Sequence, residues 1–116
     1  MPAEPPSKWT DAELEATVIT YFAMLDKERN DESYSKSEIN RQLRDSDLNG
    51  RSKGAIEFRM QNISAVLQKL CHPIIKGYLP RANVGSEVSE RIKRIIFQRD
   101  FLDASLYEPT TDENNL

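Results

Sequence analysis

Basic and amide side chains recur through the middle of this chain, at positions suited to holding an anion. Arginine and lysine bind phosphate oxygens, and arginine, asparagine and glutamine also bind the edges of bases. Two of the basic residues flank the predicted start of a helix, where free amides and the helix dipole also favour an anion. The candidate nucleic-acid contacts are Arg41, Arg44, Arg51, Lys53, Arg59, Gln61, Asn62, Lys76, Tyr78 and Arg81.

The net charge of −3 conceals a basic centre between two acidic ends. Residues 1–35 carry 3 basic and 8 acidic side chains, whereas residues 36–99 carry 13 basic and 6 acidic ones. Residues 100–116 add 5 acidic side chains and no basic one. A basic segment is typical of a protein that binds phosphates, but a solvated surface produces the same pattern. Nucleic-acid contact, protein docking and a purely structural role of these side chains therefore all stay open.

The sequence contains no catalytic constellation. Its one cysteine and one histidine, Cys71 and His72, are adjacent, so they supply neither a zinc site nor an aligned thiol–imidazole pair. There is neither a glycine-rich phosphate loop nor a nucleophile elbow. We therefore expect a non-catalytic domain with no metal or other cofactor. We expect Cys71 to be a small buried residue at a helix end.

Residues 45–50, DSDLNG, match the first half of a calcium-binding loop. Such a loop needs a bidentate carboxylate at its twelfth position, which here is Ile56. The nearest carboxylate, that of Glu57, comes one residue late and points about 100° away on a helix. The segment is therefore predicted to be an Asx-rich turn in which Asn49-Gly50 accommodates a positive φ.

Two helix starts in the first half of the chain have the same capping signature. Thr10 and Glu13 form a T-x-x-E capping box, and Ser35 and Glu38 repeat the signature as S-x-x-E. An aromatic residue precedes each cap and can pack on the first helical turn as a hydrophobic staple. With the apolar spacing that follows, these signals predict a first helix that ends near residue 27 and a short second helix that ends near residue 44.

Ser52 is predicted to cap a third helix that runs to about Leu70. Apolar residues lie on two sides of this helix, so it should be central and contact more than one neighbour. His72-Pro73 ends it, because the residue before a proline avoids the helical conformation. A short extended loop or wing follows, and a fourth helix is predicted from about residue 86 to between residues 97 and 102.

The predicted fold is all-α, with four helices in one domain over residues 9–104, a helix-turn-helix-like centre and the short extended loop or wing after helix 3. Residues 1–8 are expected to form a disordered N-terminus, and residues 105–116 an acidic disordered tail or linker. The chain lacks an apolar run long enough to span a membrane, and its start lacks a signal peptide. We therefore expect a cytoplasmic protein.

The segments LNGRSKGAIEFRMQNISAVL and PIIKGYLPRANV resemble a small helical module at the N-terminus of some bacterial proteins. Several of these are McrA-type, modification-dependent restriction endonucleases with an HNH nuclease domain downstream. The resemblance covers residues 9–84. Its strongest matches are Asn49, Gly50, Arg51, Ser52, Glu57, Phe58, Gln61, Asn62, Ile63, Gly77, Tyr78, Pro80 and Arg81.

The resemblance implies a module that is directed to DNA and associated with a nuclease. It does not imply catalysis, because His72 is the only histidine and the HNH metal-binding histidines are absent. We predict a non-catalytic DNA-binding or DNA-positioning module of a restriction or defence nuclease, with DNA and a downstream nuclease domain or partner protein as its partners. The alternative is a protein-interaction module that does not contact nucleic acid, such as a homodimer formed through Phe58.

Overall fold

The computed structural model describes residues 8–82 and 85–101 of the chain. Four helices follow one another, α1 (Asp11–Arg29), α2 (Lys36–Arg44), α3 (Lys53–Lys69) and α4 (Gly85–Gln98). Since no strand occurs among the described residues, the predicted all-α fold is confirmed. None of these helices is both long and apolar enough to cross a bilayer. The predicted disordered N-terminus, except Lys8, and the predicted acidic tail lie outside the described residues.

The central helix of the bundle is α3. It packs against α1, α2 and α4, as the apolar residues on two of its sides predicted. Ile56, Met60, Ile63 and Leu67 are each at most 1% exposed. Burying an apolar side chain of this size contributes about 1.5–3 kcal/mol. This helix is therefore a rigid support for the side chains on its one open face.

The predicted capping box of α1 is complete, whereas that of α2 is half formed. Thr10 Oγ1 accepts from Glu13 N at 3.1 Å, and Glu13 Oε1 accepts from Thr10 N at 2.9 Å. In α2, Ser35 Oγ accepts from Glu38 N at 3.1 Å. The carboxylate of Glu38 does not return to the cap, because Arg41 one turn later in α2 binds it instead. The prediction of a reciprocal second box is therefore wrong.

Three helices end at a left-handed residue that is not glycine. At the end of α3, Cys71 has a φ of 59°. Its N–H donates to Gln68 O, and His72 N–H donates to Leu67 O, which is the bond pair of a Schellman motif. The prediction that Cys71 is buried is wrong, because this reversal leaves it exposed and turns His72 into the core. The residues in this conformation are Asp31, Cys71 and Asp100.

The loop of residues 71–82, between α3 and α4, is held against the bundle by side chains of α1. The hydroxyl of Tyr21 accepts from Ile75 N at 3.0 Å and shares a 2.7 Å hydrogen bond with Ser64 Oγ. The carboxylate of Glu28 accepts from Lys76 N at 2.8 Å. The loop contains no strand, so the wing and the helix-turn-helix-like centre remain predictions.

The DSDLNG segment forms a turn between α2 and α3. Asp45 Oδ2 accepts from Arg41 Nη1 at 2.7 Å, and Leu48 is completely buried. Gly50 has a φ of +95°, which a side-chain-bearing residue adopts only under strain. No group of three or more histidine, cysteine, aspartate and glutamate side chains is placed to hold a metal among the described residues.

Candidate functional site

Arg51 is an internal cation that joins α1 to the start of α3. Its Nη2 donates to Glu13 Oε1 at 2.7 Å, and its Nε donates to Glu13 Oε2 at 2.9 Å. The side chains of Arg51 and Glu13 are only 7% and 17% exposed. Hydrogen bonds from Arg51 hold the pKa of Glu13 below its usual value. The charge of Arg51 is therefore already compensated within the fold.

The two arginines of α2 are also engaged in contacts within the domain. Arg41 binds Glu38 and Asp45 on the surface, and such exposed pairs are weak. Arg44 Nε donates to Asn40 Oδ1 at 2.8 Å, and the buried Asn40 donates in turn to a carbonyl oxygen of α3. Arg44 therefore helps to fix α2 on α3, whereas Arg41 is bound within α2 and the turn that follows it.

Asn62 is completely buried and connects α3 to the following loop. Its Nδ2 donates to the carbonyl oxygen of Arg81 at 2.7 Å, and its Oδ1 accepts from Arg59 Nη1 at 2.9 Å. The backbone N–H of Arg81 also donates to Gln61 O at 3.1 Å. Asn62 is therefore a positioning residue for two cations and is not accessible to a base.

Four cations around the first half of α3 have no acidic side chain within 4 Å among residues 8–82 and 85–101. The Lys53 and Arg81 side chains are exposed, whereas the other two are half-buried. Lys76 is exposed in the loop, and its backbone rather than its ammonium group bonds Glu28. The four cations are Lys36, Lys53, Arg59 and Arg81.

An open groove of about 450 Å³ lies between α3 and the loop, and we call it the α3 groove. The Arg81 guanidinium lies 5.6 Å from the ring centroid of Phe58, and Lys36 Nζ lies 5.7 Å from that of Tyr78. Gly77 has a φ of +93°, and a Cβ there would lie 3.4 Å from Lys36 Cε. That distance is an ordinary contact, so glycine is favoured here by the positive φ rather than by a lack of space. The lining residues are Lys36, Gly54, Glu57, Phe58, Gln61, Gly77, Tyr78 and Arg81.

Tyr78 forms part of the wall of the groove and is only 6% exposed. Its ring packs 6.3 Å from that of Tyr21, centroid to centroid. Burial, with the nearby carboxylate of Glu57, raises the pKa of Tyr78 to about 12. The phenol is therefore protonated at neutral pH and adds no negative charge to the groove.

A second recess, of about 500 Å³, lies beside Trp9 on the other flank of α3, and we call it the arginine pocket. The guanidinium carbons of Arg51 and Arg59 lie 4.8 and 4.7 Å from the Trp9 ring centroid. Arg91 Nη2 donates to the carbonyl oxygen of Trp9 at 2.8 Å. The pocket is lined by Lys8, Trp9, Gly50, Arg51, Ser52, Ala55, Arg59, Val88 and Arg91.

The cations of the arginine pocket differ in whether an acidic side chain neutralises their charge. Arg91 donates to Asp11 Oδ1 at 2.8 Å, and the exposed Lys8 bonds Glu87 at 3.1 Å. Arg59 has only the neutral amide of Asn62 as a described hydrogen-bond partner. Burial lowers the pKa of Arg59, and the positive charges of Arg51 and Arg91 lower it further.

The predicted site residues thus separate into two recesses and a set of internal contacts. The α3 groove contains Gln61, Tyr78 and Arg81, and the arginine pocket contains Arg51 and Arg59. Sequence reasoning missed Arg91 and Trp9, since Arg91 lies 80 residues from its partner Asp11 and no local motif connects them. Comparison with protein-family models, with curated proteins and with solved structures finds no match to this chain.

Proposed function

We propose that this domain binds duplex DNA without catalysing a reaction, through the α3 groove and the first turn of α3. The observation that carries the proposal is that Lys36, Lys53 and Arg81 border the open face of α3 without an acidic partner among the described residues. A cation that no carboxylate neutralises retains its attraction for phosphates, and its binding releases counterions from the duplex.

The dimensions of α3 suit a DNA groove. From Lys53 to Gln61 the helix advances about 12 Å, at about 1.5 Å per residue, and with its side chains an α-helix is about 10–12 Å across. The major groove of DNA is about 12 Å wide and admits an α-helix. Gln61, which lines the α3 groove at the end of this strip, has both amide donors and an acceptor, which is the chemistry that base edges need. The buried remainder of α3 would keep this strip rigid.

A domain of this kind positions DNA rather than cleaving it. In the restriction or defence nuclease that the sequence resemblance implies, a separate domain or partner protein would supply the catalytic residues. The proposal for the present domain does not depend on that association, because it rests on Lys36 and Arg81 in the α3 groove and on Lys53 in the first turn of α3.

A matched pair of triple variants tests the proposal. Lys36→Gln, Lys53→Gln and Arg81→Gln together should weaken duplex binding by about tenfold or more, because three phosphate contacts are lost. The control combines Lys69→Gln, Lys93→Gln and Arg94→Gln, which remove the same charge from exposed positions elsewhere. Fluorescence anisotropy of a labelled duplex at low salt measures both affinities. Equal weakening by the two triple variants would contradict the proposal.

One observation favours protein docking as a second candidate function. Leu79 is 70% exposed in the loop, directly after the groove residue Tyr78, and an apolar side chain there suits a protein partner better than phosphates. Light scattering after size-exclusion chromatography tests self-association. A dimer that Leu79→Ser dissociates, with no salt-sensitive DNA binding, would favour this candidate.

A further inference from the structure

The arginine pocket contains a positive charge that the fold does not neutralise. Of its three guanidinium groups, that of Arg51 binds Glu13 and that of Arg91 binds Asp11. Arg59 has no acidic partner among the described residues, and its Nε is buried without a hydrogen-bond partner there. The Arg59 cation is therefore half-buried and experiences the positive charges of Arg51 and Arg91.

Nearby aromatic rings stabilise the charge of Arg59 only in part. Arg59 lies 4.7 Å from the Trp9 ring centroid and 6.0 Å from that of Phe58, distances at which a cation is attracted to a ring face. Desolvated charges in proteins are nevertheless usually paired with an opposite charge. An anion in the recess would provide that pairing while leaving the Arg51–Glu13 and Arg91–Asp11 pairs intact.

We propose that the arginine pocket binds a phosphate group, with Arg59 as its principal ligand. A guanidinium group matches two oxygens of a phosphate at once, and this geometry favours phosphate over a spherical anion such as chloride. Ser52 adds a hydroxyl to the lining, and Ala55 and Val88 form apolar walls. The proposal goes beyond DNA binding through the α3 groove and does not depend on it.

The chain contains one tryptophan, and it lies in this pocket. Its fluorescence therefore reports directly on binding. Inorganic phosphate titrated into the full chain should produce a saturable change in Trp9 fluorescence, whereas chloride at matched ionic strength should not. An equal response to the two salts in the wild-type protein would overturn the proposal.

Two variants assign the response to the pocket. Arg59→Gln should weaken phosphate binding by about tenfold or more, because the charge-assisted contact of the guanidinium group is lost. Lys69→Gln removes a charge about 15 Å further along the same helix and should leave the titration unchanged. A wild-type response in the Arg59 variant would overturn the proposal.

A third variant fills the pocket without removing Arg59. Val88→Glu introduces a carboxylate into the lining, where it should pair with Arg59 and abolish the phosphate response. Circular dichroism should show that the helices of this variant are retained. An unchanged phosphate affinity in a folded Val88→Glu protein would contradict the assignment.

Oligonucleotides show whether the phosphate group belongs to a nucleic-acid terminus or to free phosphate. Tighter binding of a 5′-phosphorylated duplex than of its 5′-hydroxyl counterpart, with the difference lost in Arg59→Gln, would identify a nucleic-acid terminus as the ligand. Equal affinities for the two duplexes, with the response to inorganic phosphate retained, would identify free phosphate. The triple variant of the α3 groove should keep the phosphate response, so failure of DNA binding and failure of this inference are separable.

Discussion

At the scale of single residues, the chemical role of each arginine is set by its carboxylate neighbours. Arg51 and Glu13 form an enclosed, two-bond ion pair between α1 and the start of α3. Removing one partner from such a pair leaves the other charge enclosed and unpaired, which is strongly destabilising. Arg59, on the same flank of α3, has no such partner among the described residues, which is why we assign it to phosphate binding.

The ion pair predicts how stability depends on sequence and pH. Glu13→Gln should lower the free energy of unfolding by about 3 kcal/mol at pH 7. Because the folded-state pKa of Glu13 is depressed below its usual 4.5, the stabilisation is present above that value and is lost as pH falls through the folded-state pKa. Urea unfolding at pH 7 and pH 3 should therefore show a smaller effect of the variant in acid. An effect as large at pH 3 as at pH 7 would contradict this account.

The sequence predicted the types of these residues but not their pairing. Arg51, Arg59 and Arg81 were equivalent candidates, because spacing alone does not reveal a contact such as Arg51 with Glu13, which spans 38 positions. A purely structural role was one of the roles that the sequence left open for these side chains, and Asn62 has such a role through its hydrogen bond to the loop. Its confirmation depended on seeing how α3 and the loop pack together.

At the scale of elements, helix starts were easier to predict than helix ends. Thr10, Ser35 and Ser52 each accept a hydrogen bond at a helix start, as their side-chain chemistry predicted. Helix ends lie within about two residues of their predicted positions, but their conformation was harder to predict, because no glycine marks it and aspartate or cysteine occupies the left-handed position. The exposure of Cys71 follows from this conformation, which its residue type does not predict.

The end of α3 therefore predicts a stabilising substitution. An L-residue in the left-handed conformation costs about 1–2 kcal/mol, which glycine avoids at a smaller cost in unfolded-chain entropy. Cys71→Gly should raise the free energy of unfolding by about 0.5–1 kcal/mol, measured by urea denaturation under reducing conditions. Cys71→Ala is the control, since it removes the thiol and keeps the Cβ. Equal stability of the two variants would contradict the explanation.

At the scale of the whole molecule, composition and periodicity predicted the all-α class of the fold and the number and order of its helices. The distribution of charge was only half predictable. The basic middle of the chain is evident in the sequence, but several of its cations are compensated by acids of α1, α2 and the turn after α2. Among residues 8–82 and 85–101, folding thus leaves uncompensated cations on the two flanks of α3 and others, such as Lys69, Lys93 and Arg94, elsewhere on the surface.

The salt dependence of duplex binding tests the central claim most directly. Three phosphate contacts from Lys36, Lys53 and Arg81 should contribute about −2.7 to the slope of log affinity against log salt concentration. Anisotropy titrations of the wild-type protein, the groove triple variant and the Lys69, Lys93 and Arg94 control measure that slope. We expect the groove variant to lose about this much slope while the control keeps the wild-type value. A slope that is the same in the groove variant and the wild type would contradict the account.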